Sequence, residues 1–108
     1  EAIIRHHRVE AVKEALRLSG IPGLTVSEAR GCGQQMKRNT SPARPEDSAE
    51  FVAKAFLELY VADSDVARAV ELIAAESRTG HVGDGKVFIS NVEDVIRIRT
   101  GESGVAAL

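Results

Sequence analysis

The segment Thr79-Gly80-His81-Val82-Gly83-Asp84-Gly85-Lys86 carries the strongest chemical suggestion in the chain. Its three glycines let main-chain N–H groups come close to an anion, and Lys86 adds a positive charge. The spacing Gly80-x4-Gly85-Lys86 matches most of a Walker A phosphate loop. However, Val87 stands where a Ser or Thr should hold magnesium, and a strand pattern follows where a helix should begin. The site is therefore not that of a P-loop NTPase, although the capacity for phosphate survives. A plain tight turn with a solvated lysine would use the same residues. Asp84, set between glycines, reads as a turn former or as a ribose or magnesium contact rather than as a base. Downstream, Arg97 and Arg99 alternate with Ile96 and Ile98. On a strand both guanidiniums leave one face, about 7 Å apart. Two fork-shaped donors at that distance can grip adjacent phosphates; a solvated basic edge is the bland alternative.

Other residues offer less. Gly31-Cys32-Gly33 allows a second close backbone approach at the mouth of a long polar stretch, which Gln35 and Lys54 flank. Lys54 can meet an acidic ligand and Gln35 can offer an oxygen to magnesium, although residues of these types usually sit on the surface. Cys32 lacks the His and Asp arrangement of a protease and reads as packing. His6 and His7 are adjacent, so they diverge on a strand or turn. His81 is the only other histidine, which argues against a structural metal site.

The elements that must position these groups follow from periodicity. Ala2-Ile3-Ile4 reads as a buried strand. Val9, Val12 and Leu16 recur at helical spacing from 9 to 19, and Gly20 suits the left-handed position after the helix. Leu24 to Arg30 alternates as a strand, with Thr25 and Ser27 on one face. Gln34 to about Ala49 is a polar excursion long enough to suggest a functional loop. A strand pattern covers 51–62, with Leu57 and Leu59 on one face and Lys54, Phe56, Glu58 and Tyr60 on the other. A second helix is expected from Asp63, capped by Asp63 or Ser64, to near Ser77. Val87-Phe88-Ile89 is expected as a strand, Asn91 to Asp94 as one helical turn, and Val95 to Arg99 as a last strand. The two strand-helix-strand halves predict an α+β, ferredoxin-like βαββαβ sandwich. One sheet face then holds Phe56 and Tyr60, for which a symmetric partner subunit is the simplest cover.

Composition narrows the class. The 108 residues suit one domain, and 44 % hydrophobic with 28 % charged residues is an ordinary globular balance. Lys plus Arg is 14 against 16 acidic residues, a formal charge of -2, which disfavours a sequence-independent nucleic-acid binder. No apolar run approaches the roughly 20 residues of a membrane-spanning helix. One cysteine fits a reducing, cytoplasmic setting. The chain opens at Glu1 inside a strand pattern without Met, which reads as a start a few residues into the native protein.

The segments Thr79 to Ser90 and Val92 to Glu102 resemble the two signatures of PII nitrogen-regulatory signal proteins. So do Glu1-Ala2-Ile3-Ile4-Arg5, Val12 to Leu16, Gly23 to Glu28 and Arg30 to Gly33. The likeness spans nearly all of 1–108, read as a single domain with an effector loop at about 34–52 and a tail at about 100–108. It implies a trimer that binds ATP or ADP in clefts between subunits, with magnesium accompanying ATP. It also implies 2-oxoglutarate as effector and a transporter, enzyme or regulator as protein target, reached through the loop. Such a protein is a sensor and not an enzyme, with at most slow ATP hydrolysis, no direct nucleic-acid contact and no membrane insertion. Carried over by position, Gly83, Asp84, Gly85 and Lys86 would hold phosphates and ribose, and Arg97 and Arg99 would reach phosphates, partly from a neighbouring subunit. Thr25, with Gly23, Leu24 and Glu58, would line the adenine pocket. Gly31, Cys32, Gly33 and Gln34 would complete the nucleotide cleft. Gln35 would ligate magnesium beside 2-oxoglutarate, and Lys54 would pair with an effector carboxylate.

Some positions depart from the family pattern. Gln34 replaces a usual basic residue, and Met36 stands at the next basic position. Asp47 and Pro45 fall where relatives carry a modified tyrosine and a phosphorylated serine, so neither covalent switch is expected. The unusual stretch Lys37 to Pro45 suggests a target other than the common ammonium transporter, or a different contact with it. Two other readings remain. One is a divergent sensor answering to another anion such as bicarbonate; the other is a nucleotide-dependent phosphotransferase, for which only His6, His7 and His81 offer themselves.

Overall fold

The structure, a computed structural model, describes residues 1–21, 23–33 and 51–108. The expectations placed on Gln34, Gln35, Met36, Pro45, Asp47 and the rest of the polar stretch lie outside the described residues. Six elements organise the chain: β1 (Ala2–Arg5), α1 (Val9–Leu18), β2 (Thr25–Gly31), β3 (Val52–Glu58), α2 (Val66–Ser77) and β4 (Gly85–Val87). The sheet order is β2-β3-β1-β4, with every neighbouring pair antiparallel. Each strand-helix-strand unit therefore skips one strand position, and the two units interleave, which is the split βαβ arrangement of the ferredoxin-like fold.

Alternation decides which sheet face is buried. Ala2 and Ile4 of β1 stand opposite Leu57 and Ala55 of β3, and all four are 0–1 % exposed. Val12 and Leu16 of α1 and Ala69 and Ile73 of α2 complete the core on that face. A fully buried Leu or Ile contributes roughly 1.5–3 kcal/mol, so these few side chains carry much of the stability. The exposed flank of α1 holds the ion pairs Lys13–Glu10 and Arg17–Glu14. After Leu18 the helix closes as expected at Gly20 (φ +76°): Gly20 N–H donates to Arg17 O at 3.1 Å and Ile21 N–H to Leu16 O at 3.0 Å, the paired bonds of a Schellman turn. Buried Ile21 then anchors the exit.

Several expected boundaries move. Neither Asp63 nor Ser64 caps α2 with its side chain; a 3₁₀ turn, Asp63–Asp65, leads in, and the Asp65 carboxylate pairs with Arg68. β3 ends at Glu58 rather than 62, because its last ladder partner is Thr25. The strand expected at Val87-Phe88-Ile89 begins earlier, at Gly85, whose backbone pairs with Ile4. Phe88 continues the pairing through its bonds with Glu1, whereas Ile89 is 67 % exposed. Asn91 to Asp94 is not a helical turn. Val95 to Arg99 is not a sheet strand either: only Ile96 is bridged, to Ser103, and the chain reverses between them. Gly101 (φ +73°) makes the reversal, with its N–H on Arg97 O at 2.8 Å. The segment satisfies its backbone locally instead of extending the sheet.

Candidate functional site

The sheet face turned away from the helices gathers most of the sequence-predicted groups. Strand register puts Arg5, Lys54 and Ala29 in one row, Lys86, Ile3, Phe56 and Ser27 in the next, and Glu58 and Thr25 beyond them. Gly23 leads toward this face and Gly31 leaves it at the other end, whereas Leu24, expected at the adenine pocket, packs against the core on the helix side. A Cβ on Gly31 would lie 3.5 Å from Lys54 Cγ, so the glycine and the lysine stem are packed together. Cys32 and Gly33 follow and are exposed.

Above the Arg5–Lys54 row runs the glycine loop. Lys54, only 8 % exposed, donates from Nζ to Gly83 O at 2.6 Å. Arg5 donates from a terminal guanidinium nitrogen to Val82 O at 2.9 Å and from Nε to Asp84 Oδ1 at 3.1 Å. Two consecutive carbonyls therefore face two cations. In a trans peptide the N–H lies opposite its carbonyl, so the N–H groups of Gly83 and Asp84 turn away from Arg5 and Lys54. That polarised ribbon of amides, with Lys86 just beyond, has the electrostatics of an anion cradle. Burial lowers the Lys54 pKa, and the nearby Arg5 charge lowers it further while Asp84 opposes the change.

Gly85 makes the arrangement possible. Its φ is +106°, and a Cβ there would lie 1.7 Å from Ile3 O. Only a glycine lets the loop enter β4 this close to β1. Asp84 fixes the opposite side of the loop, accepting from Thr79 N–H at 2.7 Å, Gly80 N–H at 2.9 Å and the Thr79 hydroxyl. These bonds, led by the Thr79 hydroxyl, hold its carboxyl well below the usual carboxylate range.

Arg97 and Arg99 are not the same-face strand pair expected of them. Arg97 is committed to the C-terminal segment: it pairs with Glu102 and donates to Ala106 O at 3.0 Å and Leu108 O at 3.1 Å. Arg99 lies exposed in the reversing turn. Arg5 and Thr79 are the groups that sequence reasoning missed. For Arg5 the signal was its place in β1, one step past buried Ile4 and hence on the opposite face. The wide cleft of about 760 Å³ lies elsewhere, between α2 and the C-terminal segment, and contains none of Lys54 and Gly83 to Lys86. A smaller one of about 250 Å³ touches the helix side of Asp84, Gly85 and Lys86, over Ile73 and Ser77. Among the described residues no helix is long and apolar enough to cross a membrane, and no group of three or more His, Cys, Asp or Glu could hold a metal ion.

Comparison with known proteins agrees with the fold. The family described as Nitrogen regulatory protein P-II matches residues 1–102. Nitrogen regulatory protein P-II 1 of Methanothermobacter thermautotrophicus is 48 % identical over 107 residues, covering 99 % of this chain and 93 % of that protein. Nitrogen regulatory protein P-II of Nostoc punctiforme is 48 % identical over 108 residues, covering 100 % and 96 %. The crystal structure of Arabidopsis thaliana PII bound to citrate superposes with a TM-score of 0.82 at 40 % identity, over 99 % of this chain and 87 % of that one. By sequence and by fold, this chain belongs to the PII nitrogen regulatory proteins, a family of signalling proteins and not of enzymes.

Proposed function

We propose that this protein is a cytoplasmic, trimeric sensor of ATP, ADP and 2-oxoglutarate that regulates a nitrogen-metabolism transporter or enzyme through residues 34–52. The observation that carries the reading is the bond from Lys54 to Gly83 O. It joins the lysine suited to an effector carboxylate to the loop suited to phosphate, in one family member. The nucleotide would lie along the outer sheet face, with Gly23, Thr25 and Glu58 at the base and Gly83, Gly85 and Lys86 at the phosphates. Gly31, Cys32, Gly33 and Gln34 would close the cleft, and Arg97 and Arg99 would reach it across a subunit boundary. Magnesium would arrive with the triphosphate, whose own oxygens supply most of its ligands; Gln35 would add one. The cationic groups of this chain suit that load, since Lys86, Arg5 and Lys54 gather on one sheet face. The Arabidopsis relative was solved with citrate, a small polycarboxylate, which supports carboxylate recognition in the family. Ligand would act by shifting populations of loop states, which requires different contacts in each state.

Titration calorimetry of 2-oxoglutarate with Mg-ATP and then with Mg-ADP tests this. Binding confined to Mg-ATP, and abolished by Lys54→Ala, is the expected outcome. Nucleotide binding without any 2-oxoglutarate binding would instead favour a sensor for another anion, such as bicarbonate. Multiple-turnover ATP hydrolysis on the order of 1 per second or faster would point to a phosphotransferase.

A further inference from the structure

Asp84 presents an unusual count of partners. An ionised carboxylate offers about four lone-pair positions, two on each oxygen. On Asp84, Oδ1 accepts from Arg5 Nε at 3.1 Å and from the Thr79 hydroxyl, and Oδ2 accepts from Thr79 N–H at 2.7 Å and Gly80 N–H at 2.9 Å. All four positions are filled by the protein itself. The Arg5 and Asp84 side chains are 20 % and 24 % exposed, so this is a shielded cluster and not a solvated surface pair. We infer that Asp84 is a positioning residue that shapes the glycine loop for phosphate through Thr79, Gly80 and Arg5, and contacts neither the magnesium nor the ribose of a bound nucleotide. The inference rests on the nucleotide reading above. It replaces the ligand role that position alone would give Asp84.

The geometry gives the residue its leverage. Thr79 and Gly80 open the loop and Asp84 nearly closes it, so one carboxylate ties the two ends together. The same carboxylate orients Arg5, whose other nitrogen holds Val82 O. Val82 O and Gly83 O then stay turned toward Arg5 and Lys54, and the N–H groups of Gly83 and Asp84 stay turned outward for an anion. A metal or a ribose hydroxyl could reach Asp84 only by displacing one of these donors. Loss of the bond from Thr79 N–H or from Arg5 would leave a part-buried donor without its acceptor.

The test compares wild type with Asp84→Asn against three ligands: Mg-ATP, ATP in EDTA, and adenosine observed by ligand-detected NMR. The amide keeps one acceptor oxygen and turns a donor toward the remaining donors. A positioning role predicts about a tenfold or greater loss of affinity for ATP, equal with and without magnesium, and none for adenosine. Faster hydrogen exchange at the Thr79 and Gly80 amides should accompany it. Thr79→Val, which keeps the carboxylate, should show the same pattern more weakly, and Thr79→Ser should restore wild-type behaviour. If Asp84→Asn does not fold, the two Thr79 variants decide the matter by the same readouts. A loss confined to Mg-ATP would overturn the inference in favour of a metal contact. A loss already seen with adenosine would overturn it in favour of a ribose contact, and unchanged ATP affinity would overturn it outright. A wild-type protein that binds no nucleotide would instead sink the underlying reading.

Discussion

At the scale of single residues, two glycines with similar backbones should behave differently. Gly20 and Gly85 both have positive φ, at +76° and +106°. A Cβ on Gly20 meets nothing within 4 Å, whereas one on Gly85 runs into Ile3 O. Gly20→Ala should therefore cost only the left-handed strain, roughly 1–2 kcal/mol. Gly85→Ala must also push β4 off β1, and should cost more than about 3 kcal/mol or prevent folding. Urea denaturation of the two variants compares them directly; equal losses would mean the close approach at Gly85 is not rigid. Asp84 allows a second test, by acid. Its folded pKa lies below the unfolded value, so its contribution is complete above about pH 4 and is lost as pH falls through the folded pKa. Wild type should lose stability between about pH 4 and pH 2 more steeply than Asp84→Asn, as read from denaturation midpoints. Much of this site was legible beforehand, because glycine spacing and a lysine are local signals. Arg5 was not, since its bond to Asp84 spans 79 positions and only the fold brings the two together.

At the scale of elements, periodicity succeeded for the helices, β1 and β3, which bury residues on one face, and also for β2, which alternates without burying any. Both helices and the strands β1, β2 and β3 stand close to where their apolar spacing put them. It failed for Val95 to Arg99, which alternates as a strand does but joins neither open edge of the sheet, β2 or β4. Alternation reports a residue's two faces and says nothing about whether a partner strand exists. Here the hairpin made by Gly101 supplies the hydrogen bonds instead, with Gly104 N–H on Val95 O at 2.9 Å. The missed side-chain cap on α2 has a similar cause: a 3₁₀ turn already leads into the helix. What holds α2 is packing, chiefly Ile73, which is 3 % exposed against Ile4 and its neighbours in the core cluster. Ile73→Ala should cost about 2–5 kcal/mol. In contrast, Glu71→Ala, on the exposed side of the same helix, should change stability by less than about 0.5 kcal/mol. Chemical denaturation of both tests whether burial or helix propensity secures this element.

At the scale of the whole molecule, exposed apolar side chains concentrate in the C-terminal part of the chain. Phe88, Ile89, Val92, Ile96, Ile98 and Val105 are each 47 % exposed or more, and Ile98 is fully so. They fall within 88–105, the same run that carries Arg97 and Arg99. Scattered exposed apolar residues need no explanation, but a concentration in one segment marks a surface meant to be covered. Covering it at roughly 25 cal/mol per Å² would add stability that the small core cannot supply alone. The site argues in the same direction. Within one copy Arg97 is held by the C-terminal segment and the glycine loop presents its amides outward. On the trimer reading, a neighbour's Arg97 reaches that loop only by leaving Ala106 and Leu108, whereas Arg99 is already exposed. Assembly and nucleotide binding should then fail together. Sedimentation of the wild type should give a trimer of about 35 kDa, three copies of the 11.6 kDa chain. Ile96→Asp with Ile98→Asp should shift it toward smaller species and weaken ATP binding at least tenfold, while far-ultraviolet circular dichroism stays unchanged because neither side chain belongs to the core. A variant that dissociates yet binds ATP as tightly as wild type would show that each copy holds nucleotide alone, and that the arginines reach no neighbour's loop.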